Sequence, residues 1–175
     1  MAAVVVDNSH RDSNEDTIKM EDRCWKFYIA QQYNKALSCY EQSLEQNPNN
    51  PLQWYMKGLV LQSLRRLSEA FECFERSVQL YDQEFATIPQ NADGWYTHGN
   101  ALALLGHYEA ALSSYERSIA SGSISGPHKR QANVWFAKRD ILLHLGRKQE
   151  ADAAYEEAQF IRNDANYIDD EWDIE

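Results

Sequence analysis

Trp54-Tyr55-Met56-Lys57-Gly58, Trp95-Tyr96-Thr97-His98-Gly99 and Trp135-Phe136-Ala137-Lys138-Arg139 are three versions of one phrase. Each Trp is followed sixteen residues later by an alanine (Ala70, Ala111, Ala151) and four residues after that by an aromatic (Phe74, Tyr115, Tyr155). Upstream, Tyr33-Asn34-Lys35-Ala36 and Tyr40 supply the second half of an earlier copy, which closes at Pro48, six residues before Trp54. The alanines are 34, 41 and 40 residues apart. Self-similarity at that period marks stacked repeats, in which no unit buries its apolar face alone and each must cover its neighbour.

Within a copy the apolar residues fall at helical spacing. Trp54, Gly58, Leu61 and Leu64 line one stripe, and Ala70, Phe74, Ser77, Val78 and Tyr81 line the next. Gly or Ala at Gly58, Gly99, Ala70, Ala111 and Ala151 lets two helices approach closely. Leu105-Gly106 and Leu145-Gly146 read as helix ends closed by a left-handed glycine. Pro48, Pro51, Pro89 and Pro127 punctuate the turns between copies. The expectation is an all-α chain of eight helices, at about 15–30, 33–47, 51–64, 67–87, 91–105, 108–120, 128–145 and 148–163.

The pattern resembles the tetratricopeptide repeat, a 34-residue helix–turn–helix with a W–LG–Y/A–F–P signature, over about residues 17–163. The resemblance implies a right-handed superhelical α-solenoid of about four hairpins, 17–50, 51–91, 92–131 and 132–163, inside a domain of 14–163. Residues 1–13 and 164–175 are expected to be a flexible flank and an acidic tail. Two departures stand out. The first copy has Met20 and Cys24 where the Trp and Gly belong, and the last has Arg139 in place of the Gly.

The resemblance further implies a concave groove lined by the first helix of each hairpin. Its positions here give Trp25, Tyr28, Tyr55, Leu59, Tyr96, Asn100, Phe136, Asp140 and His144, an aromatic ladder with three polar fixers. Rigid aromatics with a polar tip suit peptide or helix recognition. Relatives that grip a chaperone's acidic C-terminus need Lys, Arg and Asn at set groove positions. Here those are Glu21, Trp25, Met56, Asp93 and Thr97, or one copy later Tyr55, Leu59, Thr97, Asn133 and Ala137. Neither register supplies a cation.

The 41- and 40-residue spacings carry insertions of different kinds. Ala36 precedes Pro48 by twelve residues and Ala70 precedes Pro89 by nineteen, while both prolines stand six before a Trp. Seven residues are therefore added inside a helix, about two turns, which nearly preserves its facing. The stripe Phe74, Val78, Tyr81, Phe85 runs on into the addition, either beneath neighbouring helices or as an exposed ledge. The other insertion falls in the Gly/Ser-rich loop of 121–130, which is expected to pack over Tyr81 and Phe85.

Composition removes several functions. With 27 acidic against 17 basic residues and a net charge of −10, the surface does not suit nucleic acid or an anionic membrane. No apolar run reaches the ~20 residues of a membrane span. Cys24, Cys39 and Cys73 form no CxxC pair, so neither a disulfide framework nor a zinc site is expected; Cys39 and Cys73 read as small buried hydrophobes, and a cytoplasmic location follows. The five histidines form no HExxH, and the glycine-rich loop lacks GK[ST], so no catalytic, cofactor or metal residues are assigned. The tail, from Asp164 to Glu175, has six acids and no base, with Tyr167, Ile168, Trp172 and Ile174 between them. It reads as a disordered solubilising segment or as a motif that docks on a partner or on the chain's own groove.

The function that follows is non-catalytic: an adaptor or assembly factor that holds a protein or peptide partner with apolar side chains, helical or extended. The alternatives are a chaperone shielding a hydrophobic secreted or membrane subunit, and a self-assembling homo-oligomeric scaffold.

Overall fold

The structure, a computed structural model, describes residues 22–122 and 128–170, the side chains of 128–130 and 164–170 excepted. Every regular element among them is a helix: α1 (22–29), α2 (Tyr33–Gln46), α3 (Pro51–Ser63), α4 (Leu67–Phe85), α5 (Ala92–Leu104), α6 (Tyr108–Ala120), α7 (His128–His144) and α8 (Lys148–Asp170). From α2 on, the boundaries fall within a few residues of the expected ones, save that α8 runs on to Asp170, and the expected start of α1 lies outside the described residues. The disorder expected from 164 is thus corrected for the backbone through 170: between Lys148 and Asp170 no Gly or Pro stops the helix. The flank 1–13, the loop over Tyr81 and Phe85, and the docking of 171–175 lie outside the described residues.

One turn closes every hairpin. Gln31, Arg65, Gly106 and Gly146 all take positive φ, at 57°, 63°, 82° and 73°. Around each, two backbone bonds finish the preceding helix, as in Arg65 N–H to the Gln62 carbonyl and Arg66 N–H to the Leu61 carbonyl. Gly106 and Gly146 adopt this freely, whereas Gln31 and Arg65 do so at a cost of about 1 kcal/mol each. The first two turns between hairpins are built from Asn and Pro. Asn50 and Asn91 cap α3 and α5 by accepting from the N–H groups of Gln53 and Gly94. The Trp54 and Trp95 indoles donate to the carbonyls of Pro48 and Pro89, at 2.8 and 2.9 Å, which explains the six-residue Pro-to-Trp spacing.

The chain divides into two compact units, 1–73 and 74–175. In the first, Ala36, Leu37, Tyr40, Leu44, Val60, Leu61 and Ala70 are buried, and Cys24 is bonded to Cys39 with 5.4 Å between their α-carbons. That bridge corrects the reading of these cysteines as thiols. Cys24 stands where the later hairpins have Gly58 and Gly99, at the point where the two helices come closest, so the Cys39 sulfur on α2 is within bonding reach. With the bridge in place, the cysteine count no longer argues for a reducing compartment. Cys73 is free and buried, and its burial pushes the thiol up to about 11.

In the second unit one core joins Ala92, Leu102, Ala111, Leu112 and Tyr115 to Val134, Ile141, Leu142, Ala151 and Ala154. A second cluster holds Tyr81, Phe85 and Trp95, with the Phe85 ring stacked 3.4 Å from the Trp95 ring. The added turns of α4 are therefore covered, and an exposed ledge is ruled out there.

Candidate functional site

The residues expected to line a groove fall in two sets, one in each unit. In the first, α1 exposes Trp25, which stacks on Tyr28 at 5.4 Å, and Tyr28 leans in turn on Tyr33 at 5.9 Å. Tyr55 and Leu59, one turn apart on α3, are half-buried. Ile29 and Leu52 are exposed in the same unit, so this set is the more apolar of the two.

In the second unit the fixers are partly committed. Tyr96 packs against Tyr115 at 6.1 Å, and the Tyr115 hydroxyl donates to Asn100 Oδ1 at 2.9 Å. Forty residues on, Phe136 meets Tyr155 at the same 6.1 Å, with the Arg162 guanidinium 5.6 Å from its ring. Each ring is held by the tyrosine of its own hairpin and stays half-buried, with part of its edge open. Asp140 is exposed and pairs with Arg139 at 3.3 Å, while His144 is exposed and stacks on Tyr108 at 4.9 Å.

Two features escaped the sequence reading. The residue three places after each Trp reaches back to an acid on the preceding helix: Lys57 to Glu41 at 3.4 Å in the first unit, Lys138 to Glu116 at 3.2 Å in the second. The signal was present, since Tyr40-Glu41 and Tyr81-Asp82 both stand fourteen residues before a Trp. At Trp95 the same place holds His98, buried among Tyr81, Phe85 and Trp95, with Nδ1 2.9 Å from Ser114 Oγ and Nε2 3.4 Å from Asp82.

Ser114, His98 and Asp82 together invite comparison with a hydrolase triad, but the hydrogen bonding runs the wrong way. The Ser114 hydroxyl donates to the Ala110 carbonyl at 2.9 Å, so its oxygen accepts from His98 Nδ1–H and is not primed as a nucleophile. Burial holds the imidazole below its usual value, against an upward pull from Asp82 and a further push down from Arg117. Among the described residues no cluster of three metal-ligating side chains occurs, and no helix is long and apolar enough to cross a membrane.

Repeated hairpins with one turn geometry, a Trp–carbonyl clasp and half-open rings define a helical repeat protein of the protein-interaction class. Family models of the tetratricopeptide repeat match residues 39–72 and 96–168, and the chain belongs to that family. A 53-residue segment is 35% identical to the peroxisomal targeting signal receptor of Saccharomyces cerevisiae and 32% identical to that of Candida glabrata. It covers 30% of this chain and only 9% of either receptor. Among solved structures, BtubC from P. vanneervenii is similar with a TM-score of 0.64 at 15% identity, over 86% of this chain and 64% of that one. MamA from Desulfovibrio magneticus RS-1, from residue 41 on, gives 0.58 at 14%, over 88% and 80%. The first repeat domain of Spaghetti (RPAP3), solved with an HSP90 peptide, gives 0.51 at 17%, over 82% and 99%. At these identities the structures establish a common fold.

Proposed function

We propose that the protein is a non-catalytic adaptor or assembly factor, and that each of its two sets of candidate groove residues contacts a partner peptide or helix. The first set, Trp25, Tyr28, Tyr55 and Leu59, suits apolar side chains. The second, Tyr96, Asn100, Phe136, Asp140 and His144, adds polar contacts that fix direction. The observation that carries the reading is the matched pairing of Tyr96 with Tyr115 and of Phe136 with Tyr155, both at 6.1 Å. Rings braced from behind lose little entropy on contact, which is what makes aromatic anchors effective in recognition. That the repeat domain of RPAP3 binds an HSP90 peptide supports peptide binding on this fold. An acidic chaperone tail is a poor partner here, because neither set of gripping positions carries a cation.

The test is a pull-down from the native host with wild type and with Tyr55, Tyr96 and Phe136 changed to Ala, quantified by mass spectrometry. Loss of the specifically bound set, with helical content unchanged by circular dichroism, is expected. An intact bound set would remove the groove assignment.

A further inference from the structure

The second helix of each of the four hairpins carries a tyrosine followed by an acid, Tyr40-Glu41, Tyr81-Asp82, Tyr115-Glu116 and Tyr155-Glu156, beside a further pair, Tyr108-Glu109, at the start of α6. In the first three the acid faces the residue three places after the Trp of the next helix, Lys57, His98 or Lys138, at 3.4, 3.4 and 3.2 Å. That residue also lies against its own indole: Lys57 5.5 Å from the Trp54 ring centre, Lys138 5.4 Å from Trp135, and the His98 ring 5.6 Å from Trp95. The tyrosines of these pairs, Tyr40, Tyr81 and Tyr115, are 2%, 4% and 2% exposed.

The fourth pair has the same construction but no following helix among the described residues; only the Arg139 guanidinium of its own hairpin lies over the Tyr155 ring, at 5.1 Å. Tyr155 is 41% exposed, Glu156 is exposed, and no described side chain forms an ion pair with it. Tyr155 has not swung off its hairpin, for it keeps the 6.1 Å separation from Phe136 that Tyr115 keeps from Tyr96. One turn beyond Glu156 on the same helix side, Phe160 is 70% exposed. The strip between the Tyr155 and Phe160 rings is polar. Four residues after the tyrosine, where Leu44, Phe85 and Ile119 stand in the other copies, Gln159 donates to the Tyr155 hydroxyl and accepts from Arg162. Two exposed rings on either side of a polar strip suit a surface that is covered and uncovered reversibly.

We propose that this face of α8 is a second docking surface, and that its occupant is a helix of a partner protein carrying an aromatic residue and, three positions later, a Lys or Arg. The partner's chemistry follows from charge complementarity and from the chain's own practice: Trp54 with Lys57 and Trp135 with Lys138 are the elements it sets against the same tyrosine–acid pair. A single helix laid on one hairpin face buries far less than the ~1,200 Å² of a stable interface, so affinity on the order of 100 µM is expected.

The experiment uses the full chain and, as probe, a fluorescein-labelled, end-capped peptide with the sequence of residues 131–145, read by anisotropy. Saturable binding is expected, weakened at least roughly fivefold by Glu156→Lys in the protein or by Lys138→Glu in the peptide. Combining the two charge reversals should return affinity to within about twofold of the original. Glu156 is exposed, so the protein variant should keep its melting temperature. No saturable binding, binding indifferent to Glu156→Lys, or failure of the paired reversal would overturn the proposal. So would a wild-type dimer in sedimentation velocity that Glu156→Lys dissolves, since that assigns the face to a second copy of this chain.

Discussion

Gly99 is the point where the third hairpin is tightest, and replacing it by alanine tests the reasoning that joins fold to groove. A Cβ there would lie 2.6 Å from Tyr115 Cε1, 2.7 Å from its Cδ1 and 3.2 Å from the Ala111 carbonyl oxygen. Carbon contacts settle near 3.5–4.0 Å, so the ring must retreat by roughly 1 Å. Tyr115 has nowhere to go, being 2% exposed, and its hydroxyl is fixed 2.9 Å from Asn100. Overpacking of this kind costs about 1–3 kcal/mol, and misaligning the hydrogen bond adds about 1 kcal/mol. Alanine returns about 1 kcal/mol of helix propensity, which leaves a net loss of about 1–3 kcal/mol. For a chain of this length that is a fall of roughly 3–10 °C in Tm, read by circular dichroism at 222 nm. In a Tyr115→Leu background the clash is absent, so Gly99→Ala should there be neutral or stabilising. Because Tyr96 and Asn100 both rest on Tyr115, the single variant should also weaken partner binding. An unchanged or raised Tm in wild type, or the same cost in both backgrounds, would refute the packing argument.

His98 predicts a pH dependence. Its imidazole titrates lower in the folded chain than the usual value near 6.5, mainly through burial, so its contribution is complete above about pH 6.5 and is lost as pH falls through the folded value. His98→Gln should flatten the difference in urea midpoint between pH 7 and pH 5, and a wild type that gains stability over that fall relative to the variant would show that Asp82 outweighs burial. The cysteines predict a thiol count: none reactive in the native protein at pH 8, where Cys73 is buried with its pKa pushed up to about 11; one in denaturant; and three in denaturant after reduction. Reduction should lower stability by about 3 kcal/mol, the value for a closed loop of this size, and two or more thiols without reductant would disprove the bridge.

The hairpins were legible because their signals are local and repeated. A Pro six residues before a Trp, a Gly at a helix end and an alanine sixteen residues after the Trp each fix one turn or one close approach without reference to the rest of the chain. Gln31 and Arg65 were not legible as left-handed residues, since neither carries the glycine signal and the conformation is imposed by the two helices they join. The disulfide was hidden for a related reason: fifteen residues separate Cys24 from Cys39, and only the hairpin, with Cys24 at its closest approach, makes them neighbours. The candidate groove residues were legible only as residue types. Their commitments were not, because the bond from Tyr115 to Asn100 and the stacking of His144 on Tyr108 depend on rotamers that spacing does not specify.

The seven residues added to α4 show why the spacing could vary without loss of the stack. Seven residues turn a helix by about 700°, within 20° of two full turns, so Tyr81, Asp82 and Phe85 inherit the facing of Phe74, Glu75 and Val78. They take up the roles that Tyr40, Glu41 and Leu44 play in the first unit, with Tyr81 and Phe85 buried and Asp82 set against His98. One residue more or fewer would rotate that set by about 100°, carrying the acid off the line of the next helix and Phe85 out from under Trp95. The six-residue insertion of the following repeat had no such constraint, because it falls between α6 and α7, and Lys138 still finds Glu116. Length is therefore free between hairpins and restricted to whole turns within them. The tyrosine–acid pair is the element that both kinds of insertion preserve, which is why its fourth copy at Tyr155-Glu156, with no following helix among the described residues, reads as a surface for a further helix.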